Sequence, residues 1–267
     1  MLATIVGGKG FIGSHLFDYL LNQGWQCWIP SRDDERLFES NLGHVFYCAG
    51  ITADFRSRPF DTVDAHVCVI KKLLDKGRFD SLTYLSSTRL YENSCNTHET
   101  SVLKGVPVNP DHLYNFSKLM GESLCLSTSN KTKIVRLSNV YGNQTDSENF
   151  LSSVLKESAI NNSVHFLTTP DSSKDYISID QVVRMLPKIA VEGVYPIYNL
   201  ASGQNTTNAS IAHSLEVKGV KTSFDKDAMC RIFPTIDISR LVSEFGSVSN
   251  TLQRDLPKLL NYYRLKV

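Results

Sequence analysis

Leu2-Ala3-Thr4-Ile5-Val6 runs directly into Gly7-Gly8-Lys9-Gly10-Phe11-Ile12-Gly13-Ser14. The first five residues, rich in apolar and β-branched side chains, read as a buried strand. Phe11, Ile12, Leu16, Tyr19 and Leu20 then recur at helical spacing, so the glycines fall in a tight strand-to-helix turn. Gly8-x-Gly10-x-x-Gly13 fits the dinucleotide pattern, and Gly7-x-x-Gly10-x-x-Gly13 fits its wider-spaced variant. The first glycines turn the chain where a Cβ would clash. Gly10 admits backbone N–H groups to a pyrophosphate at the positive end of the helix, and Gly13 lets that helix lie close on the strand. A glycine turn without a ligand is the bland alternative, but strand, turn and helix supply the context the pattern needs. The expectation is a Rossmann-type, doubly wound parallel α/β sheet that binds a dinucleotide.

Cys27-Trp28-Ile29 reads as a second, short strand, with Pro30-Ser31-Arg32 at its carboxyl end. In an open parallel sheet that edge faces the adenosine ribose, so its residue types bear on the choice of cofactor. Ser31 and Arg32 offer a hydroxyl and a guanidinium, which suit a 2′-phosphate and favour NADP. The competing reading has Asp33 or Asp34 on the ribose hydroxyl, which favours NAD. Val45-Phe46-Tyr47-Cys48 is the next apolar run, ending in Ala49-Gly50, small residues that would let a cofactor pass. Only about fourteen residues separate Ser31 from it, short for a further strand and a second crossover. The strand usual at this sheet edge is therefore expected to be missing or vestigial, since losing an edge strand breaks pairing on one side only.

Farther along, Val63, Val67, Ile70, Leu73 and Leu74 mark an amphipathic helix, with Lys71, Lys72 and Lys76 towards water. Strands are expected at 81–85 and 134–137, and a helix near 111–126. Beyond Asn143 the elements shorten, with strands near 164–167, 176–179 and 197–200 and helices near 149–160, 180–190 and 209–216. The division expected is a dinucleotide-binding domain over 1–143 and a small mixed α/β substrate lobe over 144–267, with some return to the core sheet. A net charge of +1 gives no electrostatic footprint for nucleic acid or an anionic membrane. No apolar run is long enough to span a bilayer, and a strand starting at Leu2 leaves no room for a signal peptide. The six cysteines lie without C-x-x-C pairs and read as buried small hydrophobes, so the cytoplasm is expected. The seven histidines show no ligand spacing, and no metal is expected.

Tyr114-Asn115-Phe116-Ser117-Lys118 carries the chemistry. At i and i+4 on a helix, Tyr114 and Lys118 project from one face. A free tyrosine, with a pKa of about 10, is too weak an acid to shuttle protons efficiently at neutral pH. A lysine ammonium nearby would favour the phenolate and lower that value, and it could also hydrogen-bond a ribose. A surface Tyr–Lys pair is the bland alternative. It loses ground because the glycine turn lies upstream and Ser87 closes a strand.

With these motifs on the page, the chain resembles an extended short-chain dehydrogenase/reductase of the NAD(P)-dependent epimerase/dehydratase group, most of which act on nucleotide sugars. The resemblance rests on G-G-K-G-F-I-G-S-H-L, C-A-G-I-T, Y-L-S-S-T-R-L-Y, Y-N-F-S-K, R-L-S-N-V-Y-G, K-D-Y-I-S-I-D-Q-V and Y-N-L-A-S-G, in the family's order. It implies Ser87 as the catalytic serine/threonine, Tyr114 as the proton-transfer tyrosine and Lys118 as its partner. It also implies cofactor contacts at Gly7, Gly10, Phe11, Ile12, Gly13, Ala49 and Gly50, at Tyr114 and Lys118 themselves, and at His66, where many members have asparagine. Substrate contacts are implied at Thr88, Arg89, Asn139, Asn149 and Lys174. Lys174 stands where an arginine commonly holds a diphosphate, keeping the charge but losing the bidentate fork.

Departures from the family narrow the chemistry. Dehydratases of this kind place an Asp-Glu pair directly after the serine/threonine, where this chain has Thr88 and Arg89. Arg89 cannot serve as an extra acid/base, because a guanidinium stays protonated. The resemblance thus implies NADPH-dependent reduction of a keto group, at C4 of a nucleotide-linked 4-keto-6-deoxy sugar, as in deoxysugar, O-antigen or capsule biosynthesis. A 4-epimerase with tightly bound NAD is the runner-up, and a non-catalytic dinucleotide-sensing regulator the third reading. Homodimerisation through two helices per subunit is a further family expectation.

Overall fold

The computed structural model describes every residue except 33, 129–130, 146, 148 and 247. The chain begins with β1 (Leu2–Val6), α1 (Phe11–Asn22), β2 (Gln26–Trp28), the one-turn helix α2 (Arg36–Glu39) and β3 (His44–Tyr47). It continues through α3 (Pro59–Val63), a π-helical turn (Asp64–Cys68) and α4 (Val69–Lys76) to β4 (Ser81–Ser87). A 3₁₀ turn (Thr88–Tyr91), α5 (His112–Thr128) and β5 (Thr132–Leu137) complete the first part.

β6 (Asn139–Tyr141), α6 (Phe150–Asn161), β7 (Ser163–Thr168), β8 (Ser173–Ser178), α7 (Ile179–Glu192) and β9 (Ile197–Leu200) follow. The chain ends with β10 (Asn205–Thr207), α8 (Asn208–Glu216), β11 (Lys221–Met229), α9 (Ser239–Phe245) and α10 (Leu252–Lys266).

Six strands form one parallel sheet in the order β2-β1-β3-β4-β5-β9. Its strands are apolar on both faces, as a sheet covered on both sides requires. Alternate residues divide between two cores. Ala3, Ile5, Phe46, Leu85 and Val135 pack with Leu16 and Leu20 of α1 and with Val182, Leu186 and Ile189 of α7. On the opposite face Val45, Tyr47, Leu82, Tyr84 and Ile134 meet Ile70 and Leu73 of α4 and Cys125 of α5. No described residue between Ser31 and Gly43 joins the sheet as a strand, as the short spacing predicts. α2 fills that interval, and Leu37 closes the core beneath it.

β9 lies in this main sheet beside β5, and α7 packs against α1, so residues after 178 return to cover the nucleotide half. Ser178 starts α7 with a reciprocal capping box to Gln181, which satisfies two otherwise unpaired N–H groups. The remainder forms a smaller unit. β8 lies between β10 and β6, β7 pairs with β11, and α6, α8 and α10 share a core of Leu151, Leu155, Ile211, Leu256 and Leu260. Among the described residues, no helix is long and apolar enough to cross a membrane.

Candidate active site

The glycine turn is as tight as its sequence requires. Gly7 has φ +80°, and a Cβ there would meet Ala49 N at 2.6 Å. A Cβ on Gly8 would strike Ile29, and one on Gly13 would lie 2.5 Å from the Gly7 carbonyl and 2.7 Å from Gly8 Cα. Gly10 differs, since its Cβ would touch only the Gly7 oxygen at 3.3 Å, and it caps α1 without a side-chain hydrogen bond. The first N–H groups of α1 therefore face an approachable surface, the arrangement an anion fits. Phe11 and Ile12 follow in the first turn, both partly buried against the sheet core. These residues fit a dinucleotide pyrophosphate.

Ser31 and Arg32 are exposed just past β2. Asp34 is committed elsewhere. Its carboxylate takes Arg36 in a bidentate pair at 2.9 and 2.7 Å, and that guanidinium stacks 5.1 Å over the Trp28 ring. The Arg36 bond holds the Asp34 carboxyl below the usual carboxylate range. Asp33, the other candidate for the ribose, lies outside the described residues.

β4 ends at Ser87, whose Oγ accepts the Arg89 N–H at 3.1 Å and stands close enough to the Tyr114 phenol to oppose the rise of its pKa. Tyr114 is buried in the first turn of α5, and Lys118 lies one turn on, 4% exposed, donating from Nζ to the Leu85 carbonyl at 2.9 Å. A Cβ on Gly50 would sit 3.1 Å from His66 Nε2 and 3.3 Å from Lys118 Nζ. The structure thus gathers Ser87, Tyr114, Lys118, Gly50 and His66 beside the glycine turn, because Ala49 closes on Gly7.

His66 is oriented from three sides. It occupies the π-helical turn, where one extra residue shifts the helix phase. Its Nε2 accepts the Ile51 N–H at 3.2 Å, so Nδ1 carries the proton and donates to Ser117 Oγ at 2.8 Å. Ser117 in turn donates to the Tyr114 carbonyl at 2.9 Å. Burial, reinforced by the Lys118 charge, pushes the imidazole down to about 2, so it is neutral. Its edge meets the Tyr114 ring at 5.3 Å.

Burial acts on both members of the Tyr114–Lys118 pair. Burial pushes the Lys118 ammonium down to about 7, opposed first by Glu122 one further turn along α5. Burial also pushes the Tyr114 phenol up, and the groups opposing it are Ser87 and Arg89. Lys118, expected to lower the phenol, is held by a backbone carbonyl and is itself only partly charged near neutrality.

A folded-state value below the unfolded one means that the unfolded chain binds more protons between about pH 7 and 10.5, so stability rises with pH across that window. Lys118→Met removes this penalty. Thermal denaturation should show the variant above wild type at pH 7, with the gap closing towards pH 10. A constant gap would place the penalty elsewhere.

Of the substrate-contact candidates, Thr88 and Arg89 adjoin this cluster in the turn after β4. Thr88 is buried in the 3₁₀ turn. Arg89 lies 5.1 Å over the Phe55 ring and 5.6 Å over that of Tyr114. Lys174 Nζ sits 4.7 Å over Phe150, and burial, Arg231 and Arg89 all lower its pKa. Cationic side chains therefore converge here. Asn139, on β6, donates from Nδ2 to the Asp175 carbonyl at 2.8 Å, and Asn149 caps α6 by accepting the Ser152 N–H at 2.9 Å. The side-chain amides of Asn139 and Asn149 are thus used within the fold. Phe55, Asp111 and Arg231 are additions that sequence reading misses. Among the described residues, no group of three or more His, Cys, Asp or Glu could hold a metal ion.

Comparison with known proteins is consistent with this architecture. The family model described as the NAD dependent epimerase/dehydratase family matches residues 3–201. No curated protein matches by sequence. Solved structures do match. An NAD-dependent NDP-hexosamine 5,6-dehydratase, TunA, of tunicamycin biosynthesis superposes with a TM-score of 0.82 at 19% identity, over 98% of this chain and 97% of that one. RMD from Pseudomonas aeruginosa complexed with NADPH gives 0.78 at 21% identity, over 99% and 100%. UDP-glucuronic acid 4-epimerase from Bacillus cereus, in complex with UDP-glucuronic acid and NAD, gives 0.79 at 19% identity, over both full chains. At these identities the likeness is one of fold.

Proposed function

The chain belongs to the NAD dependent epimerase/dehydratase family, and on that premise we propose that it is an NADPH-dependent reductase of a keto group on a nucleotide-linked sugar, at C4 of a 4-keto-6-deoxy sugar. The observation that carries the reading is the placing of Ser87 beside the Tyr114 phenol, without a carboxylate at the two positions that follow the serine. The acid/base pair that dehydratases of this kind carry directly after the serine is not there, because Thr88 and Arg89 occupy those positions. What the pair can do is hold a carbonyl oxygen. Ser87 Oγ already accepts one N–H, which leaves its hydroxyl proton to donate. Tyr114 donates from the other side and gives up its proton as alkoxide character develops. Lys118 and His66 hold the phenol's helix and the floor beside Gly50. The dinucleotide, when bound, supplies the hydride.

NADP is proposed over NAD because Arg32 and Ser31 stand exposed past β2 while Asp34 is taken up by Arg36. Charge-assisted bonds to phosphate contribute about 1.5–3 kcal/mol, so Arg32→Ala should lower the NADPH-over-NADH preference by roughly 10–100-fold. The ratio of kcat/KM values for the two cofactors measures it, and an unchanged ratio would return the ribose to an acidic partner.

The second reading, a 4-epimerase with retained NAD, is supported by the Bacillus cereus neighbour and by the same three side chains serving oxidation and re-reduction at one carbon. Loss of nicotinamide absorbance, with NADPH and NADH in parallel against a panel of nucleotide-linked 4-keto-6-deoxy sugars, separates them. Consumption with one nucleotide supports the reductase. No consumption, together with cofactor that survives gel filtration, supports the epimerase. A homodimer and a cytoplasmic location complete the proposal.

A further inference from the structure

Among the described residues the main sheet stops at β2, and what stands beyond it is α2 instead of a further strand. A dinucleotide whose pyrophosphate meets the start of α1 directs its adenosine half across the end of β2. Trp28 is the last residue of that strand. Its indole is partly buried against the core of Val6, Leu37 and Val45, against which Ala49 also packs. Over the indole lies the Arg36 guanidinium, 5.1 Å from the ring centroid. Asp34 pins that guanidinium along one edge, accepting from Nε at 2.9 Å and from a terminal nitrogen at 2.7 Å. The Arg36 backbone N–H donates to the same carboxylate at 3.2 Å. The Asp34 side chain is 11% exposed and that of Arg36 67%, so the pair turns its arginine outward.

An exposed arginine ordinarily samples many rotamers, and ordering it on binding costs affinity. Here an indole holds one face and a carboxylate one edge before any ligand arrives. Much of the donor fork is spent and its charge is balanced at 2.7 Å, so a phosphate gains little from it. What remains is a flat, polarisable face, the kind of surface on which a purine stacks. The other residues at this edge have different tasks. Ile29 fills the space beside Gly8, Pro30 is buried, and Ser31 and Arg32 carry the phosphate chemistry proposed for them above.

We infer that Trp28 and Arg36, braced by Asp34, form a stacking platform for the adenine of the dinucleotide. α2 thus serves the adenine end that the shortened sheet edge leaves open. The inference rests on the reading of the glycine turn as a dinucleotide site. It is indifferent to the 2′-phosphate, because NADPH and NADH carry the same base.

Calorimetric titration with NADPH and with NADH, without sugar substrate, tests it. The variant combines Asp34→Asn with Arg36→Leu, so that no carboxylate is left unpaired beside the ribose. Affinity for both cofactors should fall by about 5–30-fold, the lower part of the range that stacking of one base contributes, with their ratio unchanged. On the same Asp34→Asn background, Arg36→Tyr restores a flat, uncharged surface and should recover most of the loss. Arg36→Lys keeps the charge without the plane and should not. Recovery by Arg36→Lys and not by Arg36→Tyr, for NADPH alone, would make this residue a phosphate contact and overturn the inference. So would unchanged affinity with Arg36→Leu, the result expected of a solvated ion pair that only covers Trp28.

Where a variant does not fold, amide hydrogen exchange on the wild-type protein decides. ADP carries adenine and a diphosphate without nicotinamide, and it should slow exchange both at 7–14 and across 34–39. Slowing at 7–14 alone would overturn the platform and leave the dinucleotide site standing. No slowing at either would remove the dinucleotide reading, and the platform with it.

Discussion

Tyr114→Phe is expected to lower turnover by about 10²–10⁴-fold, the range general acid catalysis contributes, while dinucleotide binding stays nearly intact. The substitution removes one oxygen from a buried ring and leaves its packing against Phe55 and His66 in place. The carbonyl oxygen then keeps only Ser87 as a donor, and the phenolic proton that would pass to the developing alkoxide is gone. The glycine turn, Gly50 and the residues past β2, proposed here to hold the cofactor, are not touched by the substitution. Parallel measurement of steady-state turnover and of dinucleotide binding by fluorescence checks both halves. Unchanged turnover would remove Tyr114 from the chemistry.

The second large effect concerns stability. Arg136→Met should destabilise the fold by about 3–5 kcal/mol, the cost of breaking a buried ion pair from one side. Arg136 is 3% exposed on β5 and forms a bidentate pair with Glu122 at 3.0 and 2.7 Å. It also donates to the Tyr91 hydroxyl at 2.7 Å and to the Glu99 carbonyl at 3.2 Å. The Glu99 carboxylate lies nearby, equally buried, with Arg240 at 3.5 Å. Without the guanidinium, Glu122 is left charged and enclosed, and the polar loop over α5 loses its anchor. Urea unfolding at neutral pH measures the change. A loss below about 1 kcal/mol, typical of a solvated pair, would show that water reaches Glu122.

Strong local patterns made much of this legible in the sequence. A β-branched run ending in glycines has one economical solution, and the i, i+4 spacing of Tyr114 and Lys118 guarantees a shared face. The short interval between Ser31 and Val45 correctly implied a shortened sheet edge, because chain length alone rules out another crossover. Four later elements were missed for physical reasons. β10 is three polar residues that pair only because Asp175 and its neighbours on β8 are in place. β11, mostly exposed, carries Asp225, Lys226 and Asp227 in its middle and lacks the alternation of a strand with one buried face. α9 is seven residues long, and α10 hides its Leu252, Leu256, Leu260 and Tyr263 stripe among charges and an internal proline. Spacing reports which face a side chain occupies and not how deeply it is buried, so the burial of Tyr114 and Lys118 was not legible in the sequence. Arg89, for its part, reaches Tyr114 from a different element altogether.

The position of β9 has a consequence for how the protein is made. A ribosome releases β1 through β5 first, yet the partner that covers the free edge of β5 is encoded at Ile197–Leu200, after the segment 138–196. At synthesis rates of about 5–20 residues per second that segment takes roughly 3–12 s to appear. Throughout that interval Ile134, Val135 and Leu137 offer unpaired backbone groups on an apolar strand, the template on which chains pair wrongly. The same delay leaves the face that α7 later covers open to solvent. The β5 edge of the main sheet thus gains its partner only once residue 200 has emerged.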